Sequence, residues 1–200
     1  MSLVALLVLF MQLLSLQSVA SPLERMRVKT AVEPVTNLTP AALAGQYKNP
    51  SEELISRVGP PLSGNSLYIF PDKSFVYCEW ADIMPITVFD KGTWSFAGDT
   101  LELKSASTVT WDSHLERRFL AVRRPSHSEE ILLVGKEKGF AYFEKESGDD
   151  PELMLLIVGR QRDEVISRTE TPKLKAKLMR EGWIDSVPSF VDLPQTRDLR

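Results

Sequence analysis

From Asn65 onward the apolar residues recur at every second position, in short runs broken by turn residues, and this alternation constrains the fold more than any other feature. Successive side chains of an extended strand point to opposite faces, so a period of two marks half-buried strands rather than helices. The runs SLYIF (66–70) and SFVYCEW (74–80) flank Pro71-Asp72-Lys73. Proline presets the turn backbone there and aspartate can hydrogen-bond the backbone beside it. GTWSF (92–96) and TLELK (100–104) form a second hairpin around Ala97-Gly98-Asp99, with Trp94 and Phe96 on one face and Leu101 and Leu103 on one face of the partner strand.

Further runs are ITVF (86–89), STVTW (107–111), RRFLAVRR (117–124), EILLVG (130–135), GFAYFEK (139–145) and ELMLLIVG (152–159). About nine or ten strands joined by short links favour an antiparallel meander. An open sheet of that size would leave two long unpaired edges, so closure into a barrel or folding into a sandwich is expected; the succession of hairpins favours a mostly β, up-and-down barrel. Past Arg160 the alternation stops.

Short helices flank the strands. Thr39-Pro40 reads as an N-cap and first helical residue, and Ser51, followed by Glu52 and Glu53 and stopped by Gly59-Pro60, opens a second helix. Thr171-Pro172 opens a C-terminal helix in which Leu174 and Leu178 form a narrow stripe, suited to packing by one edge on the barrel or to lying partly exposed. Residues 183–200 read as an extended tail, slightly basic together with the helix before it, against an acidic barrel. That contrast allows the tail to dock on its own domain.

The first 20 residues carry no charge, and Leu3 to Leu14 is apolar apart from Gln12. Ser18 and Ala20 are small residues at the −3 and −1 positions of a cleavage site, so this segment is expected to be a signal peptide cleaved after Ala20; an N-terminal membrane anchor is the alternative. The resulting organisation is a signal at 1–20, a linker at 21–38, a barrel at 39–160 and a helix with tail at 161–200. The expected location is secreted or periplasmic, with no membrane contact after cleavage.

With Gly45-Gln46-Tyr47 as opening element, the Pro-Asp turn, Gly92-Thr93-Trp94 and the Gly98-Asp99 turn, the chain resembles the lipocalin-like barrels of small exported bacterial proteins. The resemblance covers about half the chain and implies architecture alone. Its opening element carries tyrosine where lipocalins carry tryptophan, and a single cysteine excludes their disulfide. No family site residues carry over.

Composition excludes several functions. One cysteine permits no disulfide framework, two histidines without ligand spacing argue against a metal site or other cofactor, and a net charge of −3 argues against nucleic acid as a partner. Cys78 lies in a strand and is expected to be a buried, inert thiol.

Four groups of residues invite a functional reading. Tyr68, Phe75, Tyr77, Trp80, Trp94 and Trp111 either line a ligand cavity in the barrel or fill its core. Arg117 and Arg123 should face one side of their strand and Arg118 and Arg124 the other, either as an anion site at the mouth or as partners of acids such as Glu116, Glu129 and Glu130. Asp112, His114 and His127 are of acid–base type but have no nucleophile motif beside them. Glu79, Asp82, Met84-Pro85 and Asp90 fall in the link between the clear hairpins, expected to be a loop over one barrel end.

The expectation is a noncatalytic exported module that binds a small apolar or amphiphilic ligand, or an envelope protein, at one mouth. The alternatives are an interaction domain with a filled core and a secreted hydrolase. Nothing in the sequence fixes the oligomeric state.

Overall fold

The computed structural model describes residues 21–106, 115–125 and 127–182. Eight strands form the wall: β2 (Gly45–Asn49), β3 (Ser63–Ile69), β4 (Ser74–Ala81), β5 (Met84–Ala97), β6 (Thr100–Ser105), β7 (Arg118–Arg124), β8 (His127–Gly135) and β9 (Gly159–Glu164). Each pairs antiparallel with its sequence neighbours, and β9 pairs with both β8 and β2, which closes the ring. The fold is therefore mostly β, a closed up-and-down barrel consistent with lipocalin-like architecture. A short strand, β1 (Glu33–Pro34), runs along β7 past the end of β6.

Alternation sorts the side chains into an interior and an outer wall. Tyr47, Leu67, Ile69, Phe75, Tyr77, Trp94, Leu101 and Phe119 belong to one buried cluster inside the ring. On the outside, Leu120, Val122, Leu132 and Val134 are covered by α1 (Pro22–Thr30), α4 (Lys138–Glu146) and α5 (Pro151–Val158), through Met26, Phe140, Phe143 and Leu155. Across the ring, Tyr68, Phe70, Val76, Cys78 and Val88 are covered by Ile166 and by Leu174 and Leu178 of α6 (Thr171–Gly182), the edge-on packing that its narrow stripe predicts. Burial there pushes the Cys78 thiol up to about 12, so it stays protonated and unreactive at neutral pH. Among the described residues, no helix is long and apolar enough to cross a membrane.

The caps of α2 (Pro40–Leu43) and α3 (Glu52–Val58) form as expected. Thr39 accepts from the Ala42 amide at 3.2 Å, Ser51 accepts from the Leu54 amide at 3.1 Å, and Gly59 ends α3 at a φ of 93°. Asp72 Oδ1 accepts from the Ser74 amide at 3.1 Å and from its hydroxyl at 2.6 Å, fixing the β3–β4 turn. At the β5–β6 turn Gly98 adopts a φ of 64°, which glycine supplies without strain.

Several elements differ from expectation. Residues 21–38 are no featureless linker: Ser21-Pro22-Leu23-Glu24 is a capping box, in which Ser21 Oγ accepts from the Glu24 amide at 3.2 Å and Glu24 accepts from the Ser21 amide at 2.8 Å. The run at 139–145 and residues 152–158 lie in helices rather than strands, and Gly159 opens β9. In α4, Phe140 and Phe143 are three apart and both buried, and Asp150-Pro151 caps α5, with Asp150 accepting from Leu153 at 2.8 Å. ITVF and GTWSF belong to one 14-residue strand, β5. The expected loop over the barrel end is a tight turn, since Ala81 pairs with Met84. The polar stretch past Arg160 forms β9, so the barrel wall extends to Glu164. Trp111, Asp112 and His114, the run at 107–111, residues 1–20 with their expected signal, and the expected tail at 183–200 lie outside the described residues.

A Cβ added at Gly92 would stand 2.0 Å from the Lys104 carbonyl oxygen across the β5–β6 pair. Main-chain oxygen cannot yield, so Gly92→Ala is expected to cost about 1–3 kcal/mol, read from the urea midpoint at pH 7.

Candidate functional site at the polar end of the barrel

The two ends of the interior differ chemically. At the end bearing the β3–β4 turn, the segment between α1 and β2 folds across the opening. The Val35 amide donates to the Ala121 carbonyl at 2.9 Å, Leu43 is fully buried among the interior side chains, and the Tyr47 hydroxyl donates to the Leu43 carbonyl at 2.7 Å. Burial raises the Tyr47 phenol far above its ordinary value, against the opposing charge of Arg162. Arg162 donates to the Ala42 carbonyl at 2.6 Å and further ties this plug to β9.

At the opposite end the inward positions turn polar. Asn49 pairs with Asn65, Asn65 with Glu79 and Glu79 with Thr87, carrying the polar ring across β2 to β5. Directly opposed residues of an antiparallel sheet share a face, so these side chains stand on the interior side with Tyr77. The Tyr77 hydroxyl donates to Glu79 Oε1 at 2.7 Å, and burial raises this phenol above its ordinary value. Asp90 is buried opposite Tyr77, accepts from the Ser105 hydroxyl at 2.6 Å and is ion-paired with Arg117. Asn49 donates to the carbonyls of Ile157 at 2.8 Å and Gly159 at 2.5 Å, anchoring the start of β9.

Arg160 projects from β9 into this end. It pairs with Leu133, an interior residue, and its guanidinium lies 6.0 Å from the Tyr77 ring centroid and 5.3 Å from that of Phe119. Its Nε donates to Asn65 Oδ1 at 3.1 Å, and the group also reaches the Tyr77 hydroxyl. The charge thus sits between two rings that favour a cation, above the packed part of the core.

Beside the polar ring the rim is apolar. Leu62, Ile83 and Ile86 are 75%, 85% and 45% exposed, and the Asp82 amide donates to the Leu62 carbonyl at 2.9 Å, which brings Leu62 to the β4–β5 turn. Trp80, half-buried, lies on the adjoining outer face against Gly64, where an added Cβ would come within 2.6 Å of its ring.

The residues singled out from sequence are therefore dispersed. Phe75, Tyr77 and Trp94 lie in the interior cluster, Tyr68 lies beneath α6 and Trp80 lies on the rim. The arginines alternate as their spacing predicts. Arg117 meets Asp90, Arg118 stands exposed 4.0 Å from Glu137, and Arg124 is buried on the outer wall. Glu116 accepts from the amides of Glu137 and Gly139 at the start of α4.

Arg124 joins three elements. Its Nη1 donates to Glu53 Oε1 at 3.0 Å, and its Nη2 donates to Glu53 Oε2 at 2.5 Å and to Glu130 Oε2 at 3.0 Å. Gln161 Nε2 also donates to Glu130, at 2.8 Å. These hydrogen bonds hold the Glu53 carboxyl below, and raise the Arg124 guanidinium above, its ordinary value. Glu53, Glu130 and His127 bring potential ligand atoms within 4.8 Å of one another, but the guanidinium already supplies the counter-charge, and a divalent cation would meet it at close range.

Neither Arg160 nor Asn65 stood out in the sequence; an arginine in a run without apolar neighbours reads as solvated surface. The available signal was Gly159 after an apolar run, which marks close approach of backbone. Comparisons with protein-family models, with curated proteins and with solved structures return no match for this chain.

Proposed function

We propose that this chain is a noncatalytic, exported binding module of lipocalin-like type that takes a small amphiphilic ligand at the polar end of its barrel. The observation that carries this reading is the asymmetry of the interior. One end is plugged by Val35 and Leu43, whereas the other gathers Asn49, Asn65, Glu79 and Arg160 beside the exposed Leu62, Ile83 and Ile86. A ligand with a polar head and an apolar tail matches both surfaces at once. The packed aromatic cluster argues against a deep apolar cavity and supports binding at the mouth. Export is part of the proposal and follows from the uncharged apolar segment at 1–20.

Titration calorimetry with decyl maltoside and sodium decanoate below their micellar concentrations tests it. Saturable binding of at least one of them is expected, weakened severalfold by Ile83→Asp at unchanged melting temperature. Absence of binding by both, or binding indifferent to Ile83→Asp, contradicts it. The filled core also suits an interaction domain, and that reading gains if neither amphiphile binds.

A further inference from the structure

Resting on this reading of the mouth, we propose that the polar head is an anion, a carboxylate in the simplest case, and that Arg160 is its counter-ion. A guanidinium offers five N–H donors in a planar fork and cannot shed its charge. In Arg160 the Nε side is occupied by Asn65 Oδ1 at 3.1 Å, which fixes the plane of the group. The guanidinium also reaches the Tyr77 hydroxyl, and among the described residues no carboxylate stands within the 4.0 Å of an ion pair with it. The other interior-end arginine, Arg117, is matched by Asp90. On the outer wall Arg124 is matched by Glu53 and Glu130. Arg160 is distinct in lying inside the ring with no carboxylate partner among the described residues.

Its surroundings fit a bidentate guest. The Tyr77 and Phe119 rings flank the guanidinium at 6.0 and 5.3 Å, and the residue is half-buried, which strengthens an ion pair formed there relative to one in open water. With Nε on Asn65 and the Tyr77 hydroxyl beside the group, the remaining N–H donors of the fork are those a carboxylate would accept. Glu79, nearest in sign to the guest, has Oε1 engaged by the Tyr77 hydroxyl at 2.7 Å. Its charge opposes an incoming anion, so its removal should tighten binding.

The test compares decanoate with decyl maltoside, equal in tail and different in head charge, on the full chain. Wild type is expected to bind decanoate at least tenfold more tightly than the maltoside. Arg160→Gln should abolish that preference, Arg160→Lys should restore part of it, and Glu79→Gln should strengthen it severalfold; circular dichroism confirms that each variant is folded. Equal affinity of wild type for the two ligands, or a preference that survives Arg160→Gln, overturns the anion proposal and leaves the amphiphile reading standing. If wild type binds neither, both fall.

Discussion

Trp94→Ala is expected to lower the unfolding free energy by about 3–5 kcal/mol, a large part of the stability of a domain this size. Trp94 is 4% exposed inside the ring, and its indole Nε1 donates to the Phe70 carbonyl at 3.0 Å, so the side chain fills the interior and also ties β5 to the β3–β4 turn. Truncation removes the apolar area, leaves a cavity bounded by a closed wall that cannot collapse onto it, and breaks the hydrogen bond. Trp94→Phe keeps most of the volume and should cost about 1–2 kcal/mol. Urea unfolding followed by circular dichroism reads both. Equal, small losses in the two variants would mean that the interior is loosely filled, and would favour the deep cavity over the packed core.

Arg124→Ala is expected to cost about 2–3 kcal/mol at pH 7, because it strips the counter-charge from Glu53 and Glu130 while both retain enough exposure to rehydrate in part. The pH dependence follows in sign. The folded Glu53 carboxyl is held below its unfolded value near 4.5, chiefly by the Arg124 hydrogen bonds. Its contribution is complete above that value and disappears as pH falls through the folded one. Wild type should therefore lose stability on acidification below about pH 4.5, and Arg124→Ala, which has already lost this contribution, should show a flatter acid limb. Parallel acid limbs would show that Arg124 does not set the Glu53 titration.

The barrel was legible wherever the signal was local. The Pro71-Asp72 turn, the Gly98-Asp99 turn and the caps at Thr39 and Ser51 lie within a few residues of what they organise, and each forms in the structure. The apolar run at 152–159 was ambiguous by nature, since a continuous apolar stretch suits a buried strand or a buried helix; Asp150-Pro151 decides for the helix. The strand β9 was illegible because it contains no apolar residue after Gly159. Its pairing comes from the unpaired edges of β2 and β8, a requirement of closure rather than of its own sequence.

The candidate site inherits that difficulty. Arg160 reaches the interior only because β9 inserts between β2 and β8, and the Asn65 that holds it lies 95 residues away. Glu79 and Asp90 were conspicuous as carboxylates, but their link looked like a loop; the tight turn at Ala81 and Met84 leaves both in the paired strands β4 and β5, on the face of Tyr77. Arg124 was conspicuous too, and its partner Glu53, 71 residues away on α3, could not be chosen from sequence.

The most direct measurement of the central claim is an amide nitrogen–proton correlation spectrum of uniformly labelled protein during titration with decanoate. Binding at the polar end predicts saturable shifts at Asn49, Asn65, Glu79 and Arg160 and at the Leu62–Ile83 rim, with Leu43, Ile69 and Phe75 at the plugged end unmoved. Shifts concentrated at the plugged end or beneath α6, or none at saturating ligand, would contradict it.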